Sequence, residues 1–143
     1  MAASQAKTNI GATFSHMTAA GPPAVYTDIG EAVSITPPNP TRETVDVTHL
    51  TSPNATREFL ATIKDGGEAE VLFNDTPAAR TKCETLFGLD EVSSFRILWP
   101  SGKKRDFNAV VIGLPSEPIE IDSVQRFSLA MKVSGLPVST PAP

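Results

Sequence analysis

Hydrophobic and polar residues alternate along most of this chain, and the alternation predicts about seven strands and one helix. Ile10, Ala12 and Phe14 alternate with small polar residues and predict a first strand, which Gly21-Pro22-Pro23 ends. The pattern returns from Val25 to Ile35, with Val33 and Ile35 on one face and Asp28 and Gly30 marking a turn or bulge. Arg57 to Ile63 predicts a strand carrying Phe59, Ala61 and Ile63 on one side. Asp65-Gly66-Gly67 suits a tight hairpin leading into Glu68 to Asn74, where Ala69, Val71 and Phe73 share a face. Thr76, Pro77 and Gly88 occupy the N-cap, first and C′ positions of a helix over 77–87, with Ala79, Cys83, Leu86 and Phe87 as its apolar stripe. Ser94 to Trp99 and Asp106 to Leu114 predict a hairpin around Pro100-Ser101-Gly102. Ile119 and Ile121 then alternate with Glu120 and Asp122, and Phe127, Leu129, Met131 and Val133 alternate with polar neighbours in the strongest strand signal of the chain.

One segment breaks the rhythm. Residues 37–58 are long, polar and poor in core-forming side chains, and Pro37, Pro38 and Pro40 withhold backbone donors at their start. Only Thr44 to Leu50 regains a strand-like alternation, with Val45 and Val47 on one face. A loop of this length in a compact domain signals function or disorder. The fold expected is mainly β: an antiparallel β-sandwich or open barrel with one short α-helix packed against it and a long polar arm. Residues 1–9 read as a flexible N-terminal segment, 10–135 as a single domain, and the Pro-rich 136–143 as a flexible tail.

Length and charge narrow the function. A chain of 143 residues can bury about 70% of the surface its unfolded form exposes, so it needs no covalent staple. Cys83 is the only cysteine, which excludes an internal disulfide and a cysteine metal site. No apolar run opens the chain or reaches membrane-spanning length, so a soluble protein without a secretion signal is expected. The formal charge of −4 disfavours holding nucleic acid by counterion release. The one basic run, Lys103-Lys104-Arg105, follows a turn without interleaved aromatic residues and reads as a solvated hairpin end. Phosphate-binding glycine motifs, a nucleophile elbow and paired histidines are all missing from the sequence, so neither an enzyme nor a cofactor is expected.

The order of these features resembles the tail tube (major tail) proteins of lambda-like, long-tailed, non-contractile bacteriophages. The matching run begins at Val25-Tyr26-Thr27-Asp28-Ile29-Gly30 and enters a Pro-containing arm followed by Asp46-Val47-Thr48. It continues through Arg57-Glu58-Phe59, the Gly-Gly turn and the helix ending Leu86-Phe87, then Phe95-Arg96-Ile97-Leu98-Trp99-Pro100-Ser101-Gly102, and closes at Val133-Ser134-Gly135. The arm carries few acidic residues for this pattern, and an appended C-terminal domain after the last strand is not expected.

The resemblance implies a structural virion protein, assembled in the host cytoplasm, whose homohexameric rings stack into a tube that conducts double-stranded DNA without binding it specifically. It also implies tape-measure, tip and terminator partners at the tube ends, and no membrane. Ring stacking is then expected to use arm residues Pro38, Arg42, Glu43, Val45, Asp46, Val47, Thr48, Arg57 and Glu58. Glu68 and Glu70, or Glu120 and Asp122, are expected to face the lumen, each pair lying opposite the apolar face of its strand. Replacing Pro38 to Arg42 by a Gly-Ser linker is expected to leave the fold intact. The alternative from another class is a monomeric β-sandwich binding module that uses the 37–58 loop as a ligand arm.

Overall fold

The computed structural model describes residues 3–4, 8–19, 21 and 23–142. Part of the expected N-terminal segment, and Pro22, therefore lie outside the described residues. In chain order the elements are β1 (Thr13–Ala19), β2 (Val25–Asp28), β3 (Ala32–Thr36), β4 (Thr41–Asp46), a 3₁₀ turn (Pro53–Ala55), β5 (Phe59–Asp65), β6 (Glu68–Asn74), α1 (Pro77–Phe87), β7 (Ser93–Leu98), β8 (Lys104–Gly113) and β9 (Arg126–Thr140). Seven strands form one sheet in the order β2-β1-β7-β8-β9-β6-β3, and β4 and β5 form a separate two-stranded ribbon. Every pairing is antiparallel. The fold is therefore mainly β, as the alternation requires, with the sheet curled into an open barrel rather than a closed one.

The curl follows from where the large side chains point. Phe14 on β1 stacks on Phe95 at 5.4 Å and meets Phe73 on β6 edge-on at 6.2 Å, so strands far apart in the sheet meet across its concave side. Phe95, Ile97, Phe107, Ala109, Val111, Phe127, Leu129, Met131 and Val133 complete that core. Each is an odd-numbered residue of β7, β8 or β9, the face that the two-residue period selects. Helix α1 packs on this core through Ala79, Cys83 and Leu86, all buried. Thr76 caps it, its Oγ1 accepting from the Ala79 amide at 3.3 Å.

Five local expectations are corrected. Phe87 is half exposed: Ala79, Cys83 and Leu86 at spacing i, i+4, i+7 already fill the buried stripe, and Phe87 lies one residue round the helix from it. Gly88 ends α1 in the right-handed region (φ −75°, ψ −8°), so it is not a left-handed C′ glycine. The Asp65-Gly66-Gly67 turn does not join a hairpin, because β6 is flanked by β9 and β3 and leaves no edge for β5. Residues 119–122 form no strand. Pro115 and Pro118 interrupt the approach, and β9 is already paired on both sides. The expected flexible tail is instead the end of β9, where Asp106, Arg105 and Lys104 pair with Val138, Ser139 and Thr140.

Candidate assembly interface

The ribbon β4–β5 grows from a buried anchor. Pro38 is among the most buried side chains of the chain, and its carbonyl accepts from Arg105 Nη1 at 3.4 Å. On the other side of the root, Gly67 adopts φ +81°, and a Cβ there would sit 2.5 Å from the Asn39 carbonyl oxygen. Only glycine fits this approach. Pro38 is thus a buried root residue in the subunit, not an exposed one. Replacing 38–42 by a Gly-Ser linker would remove this buried side chain, so a loss of stability is now expected in place of an intact fold.

Beyond the root every residue of β4 and β5 is exposed. The register places Val45 opposite Leu60 and Asp46 opposite Phe59, with a shift between Arg42 and Thr44. Val45 and Leu60 therefore share one face of the ribbon, with Val47 following by alternation, and Phe59 lies on the other. Both faces carry exposed apolar side chains. A two-stranded ribbon is marginal in water unless something packs on it, and these side chains supply an apolar surface for that.

The charged residues of the arm serve mainly to fasten its tip. Asp46 Oδ2 takes Arg57 Nη1 at 3.0 Å, and Asp46 Oδ1 accepts the Thr48 amide at 2.8 Å. These contacts, Thr48 first, hold the Asp46 carboxyl below its ordinary range. The Glu58 amide donates to Thr48 Oγ1 at 2.8 Å, while Ser52 Oγ donates to the Glu58 carboxylate at 2.7 Å with His49 Nδ1 at 3.2 Å. Asn54 and Ala55 turn the tip in the left-handed region, each at φ +55°. Among the described residues, Arg42 and Glu43 alone of the expected arm charges keep side chains with no ion pair or hydrogen bond.

The expected lumen residues separate. Glu68 and Glu70 lie exposed on the outer face of β6, where Glu68 meets Lys132 at 3.7 Å and Glu70 stands opposite Ala130. Glu120 and Asp122 lie in the β8–β9 loop, so no strand alternation sets them against Ile119 and Ile121. The outer edges of β2 and β3 have no strand partner among the described residues.

Elsewhere the polar groups serve the fold. Arg96 donates to Asp106 at 2.7 Å and lies over the Tyr26 ring at 3.8 Å, a clasp across β7, β8 and β2. Burial pushes the Cys83 thiol up to about 11, as suits a residue that acts as a small hydrophobe. Burial and then the charge of Lys82 lower the His16 imidazole below its usual value. Among the described residues no group of three His, Cys, Asp or Glu is placed to hold a metal, and no helix is long and apolar enough to cross a membrane.

Sequence reasoning located the arm but missed its two apolar faces. The signal was the unbroken run Phe59-Leu60-Ala61, which is not alternating and so places large side chains on both sides of a strand.

Comparison with known proteins follows the same line. A family model described as lambda phage tail tube protein, TTP, matches residues 11–140. No match to a curated protein sequence was found. Among solved structures, the fold resembles a chain in the tail of an empty gene transfer agent particle refined with C6 helical symmetry, with TM-score 0.74, 18% identity, and 95% of this chain and 100% of that chain covered. It also resembles a chain in the sheath/tube terminator structure of an extracellular contractile injection system, with TM-score 0.74, 9% identity, and 98% and 100% covered. A third is a chain of the anti-feeding prophage tube-terminating cap, with TM-score 0.68, 11% identity, and 99% and 96% covered. At these identities the likeness is one of fold.

Proposed function

We propose how this chain, which belongs to the lambda phage tail tube protein family, is joined into its tube. The protein is a structural, tube-forming component of the virion tail. Six subunits close each ring, a number supported by the sixfold symmetry of the gene transfer agent tail whose chain shares this fold. The open edges of β2 and β3 meet those of ring neighbours, which removes the exposed edges that would invite uncontrolled pairing. Glu68 and Glu70 on the outer face of β6 turn to the channel. The acidic protein then repels phosphate, so double-stranded DNA passes without specific binding. Terminator, tip and tape-measure proteins bind the tube ends.

The observation that carries this reading is the ribbon β4–β5, exposed along its whole length and apolar on both faces. Its partner is the adjacent ring. Docking buries Val45, Val47, Phe59 and Leu60, and Glu43 supplies a charge left free for pairing, while Arg42 lies at the root, opposite Lys64. The tip charges Asp46, Arg57 and Glu58, with Thr48, act by holding the ribbon in shape. Negative-stain microscopy of the concentrated protein tests this: hollow tubes or ring stacks are expected, and persistent monomers at high concentration would overturn it.

A further inference from the structure

A second unfilled surface lies at the root of the arm. Arg42 and Lys64 are direct cross-strand partners on β4 and β5. Like charges placed opposite one another repel, and among the described residues neither side chain has an acidic partner. They flank a notch of about 320 Å³ whose other lining includes Pro40, Leu136 and Pro137. The notch exists because β9 bulges there: Asp106 pairs with Val138 and Asn108 with Ser134, so three residues of β9 stand against one of β8. Gly135 at φ +82° makes the bend, and Leu136 is left half exposed.

The opposite end of the β8–β9 hairpin carries the complementary chemistry. Its loop exposes Ile119 and Ile121 at 91% and 99%, with Glu120 and Asp122 between and beside them. These carboxylates have no ion pair or hydrogen bond among the described residues. The loop presents bare apolar side chains framed by negative charge, and the notch presents an apolar floor framed by positive charge. Ten residues of β9, Arg126 to Gly135, separate them, about 33 Å of extended chain. The loop therefore cannot fill the notch of its own subunit.

We infer that the Ile119–Asp122 loop of one subunit seats in the Arg42–Lys64–Leu136 notch of a second copy in the neighbouring ring. Ile119 and Ile121 cover Leu136 and the two prolines, and Glu120 and Asp122 neutralise the cation pair. Donor and receptor are different surfaces of the same chain, so the contact is heterologous and propagates in one direction. It rests on the tube reading but is separate from the docking of the ribbon's faces.

Charge exchange tests it. A loop variant, Glu120→Lys with Asp122→Lys, and a notch variant, Arg42→Glu with Lys64→Glu, alter exposed residues only, so both are expected to melt like the wild type. Each is expected to raise the critical concentration for tube formation at least about tenfold, equivalent to one unfavourable decade in each association step. The chain carrying all four changes is expected to return to within about threefold of wild type. A loop variant that assembles normally, or a four-change chain no better than its parents, overturns the inference. So does a defect confined to the notch variant, because the cations would then serve another anion such as DNA phosphate. If the wild type forms no tubes, Ile121→Cys with Leu136→Cys under oxidation separates the two readings. Cross-linked chains would uphold the loop contact without the tube, and their absence would overturn it.

Discussion

The double substitution Phe59→Thr with Leu60→Thr tests the arm most directly. Threonine keeps the β preference of the ribbon and removes one large apolar side chain from each of its faces at once. In the isolated subunit Phe59 is 56% and Leu60 59% exposed. Fully burying such a side chain contributes about 1.5–3 kcal/mol. Slightly more than half of that is left for a partner to recover, about 1–1.7 kcal/mol each, or about 2–3.5 kcal/mol for the pair. At 1.4 kcal/mol per decade this weakens each arm contact about 30- to 300-fold. The subunit itself is expected to change by about 0.5 kcal/mol or less, the scale of surface substitutions. Circular dichroism melting reports the second quantity, and sedimentation across a concentration series reports the first through the critical concentration. Assembly at the wild-type concentration would refute the docking argument. A melting shift of several kcal/mol would show that the ribbon belongs to the core.

Three further outcomes follow from the geometry. Gly67→Ala is expected to cost about 2 kcal/mol in chemical denaturation, because alanine pays for the left-handed backbone and its Cβ meets the Asn39 carbonyl; an unchanged midpoint would mean that the root relaxes freely. Cys83, with its thiol pushed up to about 11, is expected to react with a disulfide reagent at neutral pH only as fast as the protein unfolds, and prompt labelling of the native protein would contradict its burial. Because the folded-state value of Asp46 is lowered, its contribution to the arm tip is present above the ordinary carboxylate value of 3.8 and is lost as pH falls through the lowered one. The Thr48 amide resonance should therefore titrate with a midpoint below 3.8, and a midpoint at or above it would remove the hydrogen bond from the account.

The strands that line the core were legible because a two-residue period survives in them without ambiguity. Phe95, Ile97 and Phe107, and Phe127 through Val133, could only face one way. The helix was equally plain from Thr76 and Pro77. What the pattern could not show was partner choice. Whether β5 pairs with β6 or with β4 depends on which edges are already taken, and that is settled by β3 and β9, strands distant in the sequence. Ile119 and Ile121 failed for the opposite reason: they carry strand-like alternation, but the sheet has no vacant edge beside β9 to receive them. The arm was readable as an arm from its prolines. Its root was not, since Pro38 looks like its neighbours in sequence and is buried only because β8 and the Gly67 corner close over it.

The two edge strands of the sheet are also consecutive in the chain. β2 and β3 lie at opposite ends of the seven-strand order, yet only Ile29, Gly30 and Glu31 connect them, a reach of about 14 Å from Asp28 to Ala32 even when fully extended. A load that enters at one edge and leaves at the other therefore has a short covalent path, in parallel with the six hydrogen-bonded ladders that lie between the edges around the sheet. Those ladders can be strained by shear or peeling; the tether can lengthen only to its extended limit. This places a short covalent bridge across the seam, the position where a curled sheet would otherwise unroll.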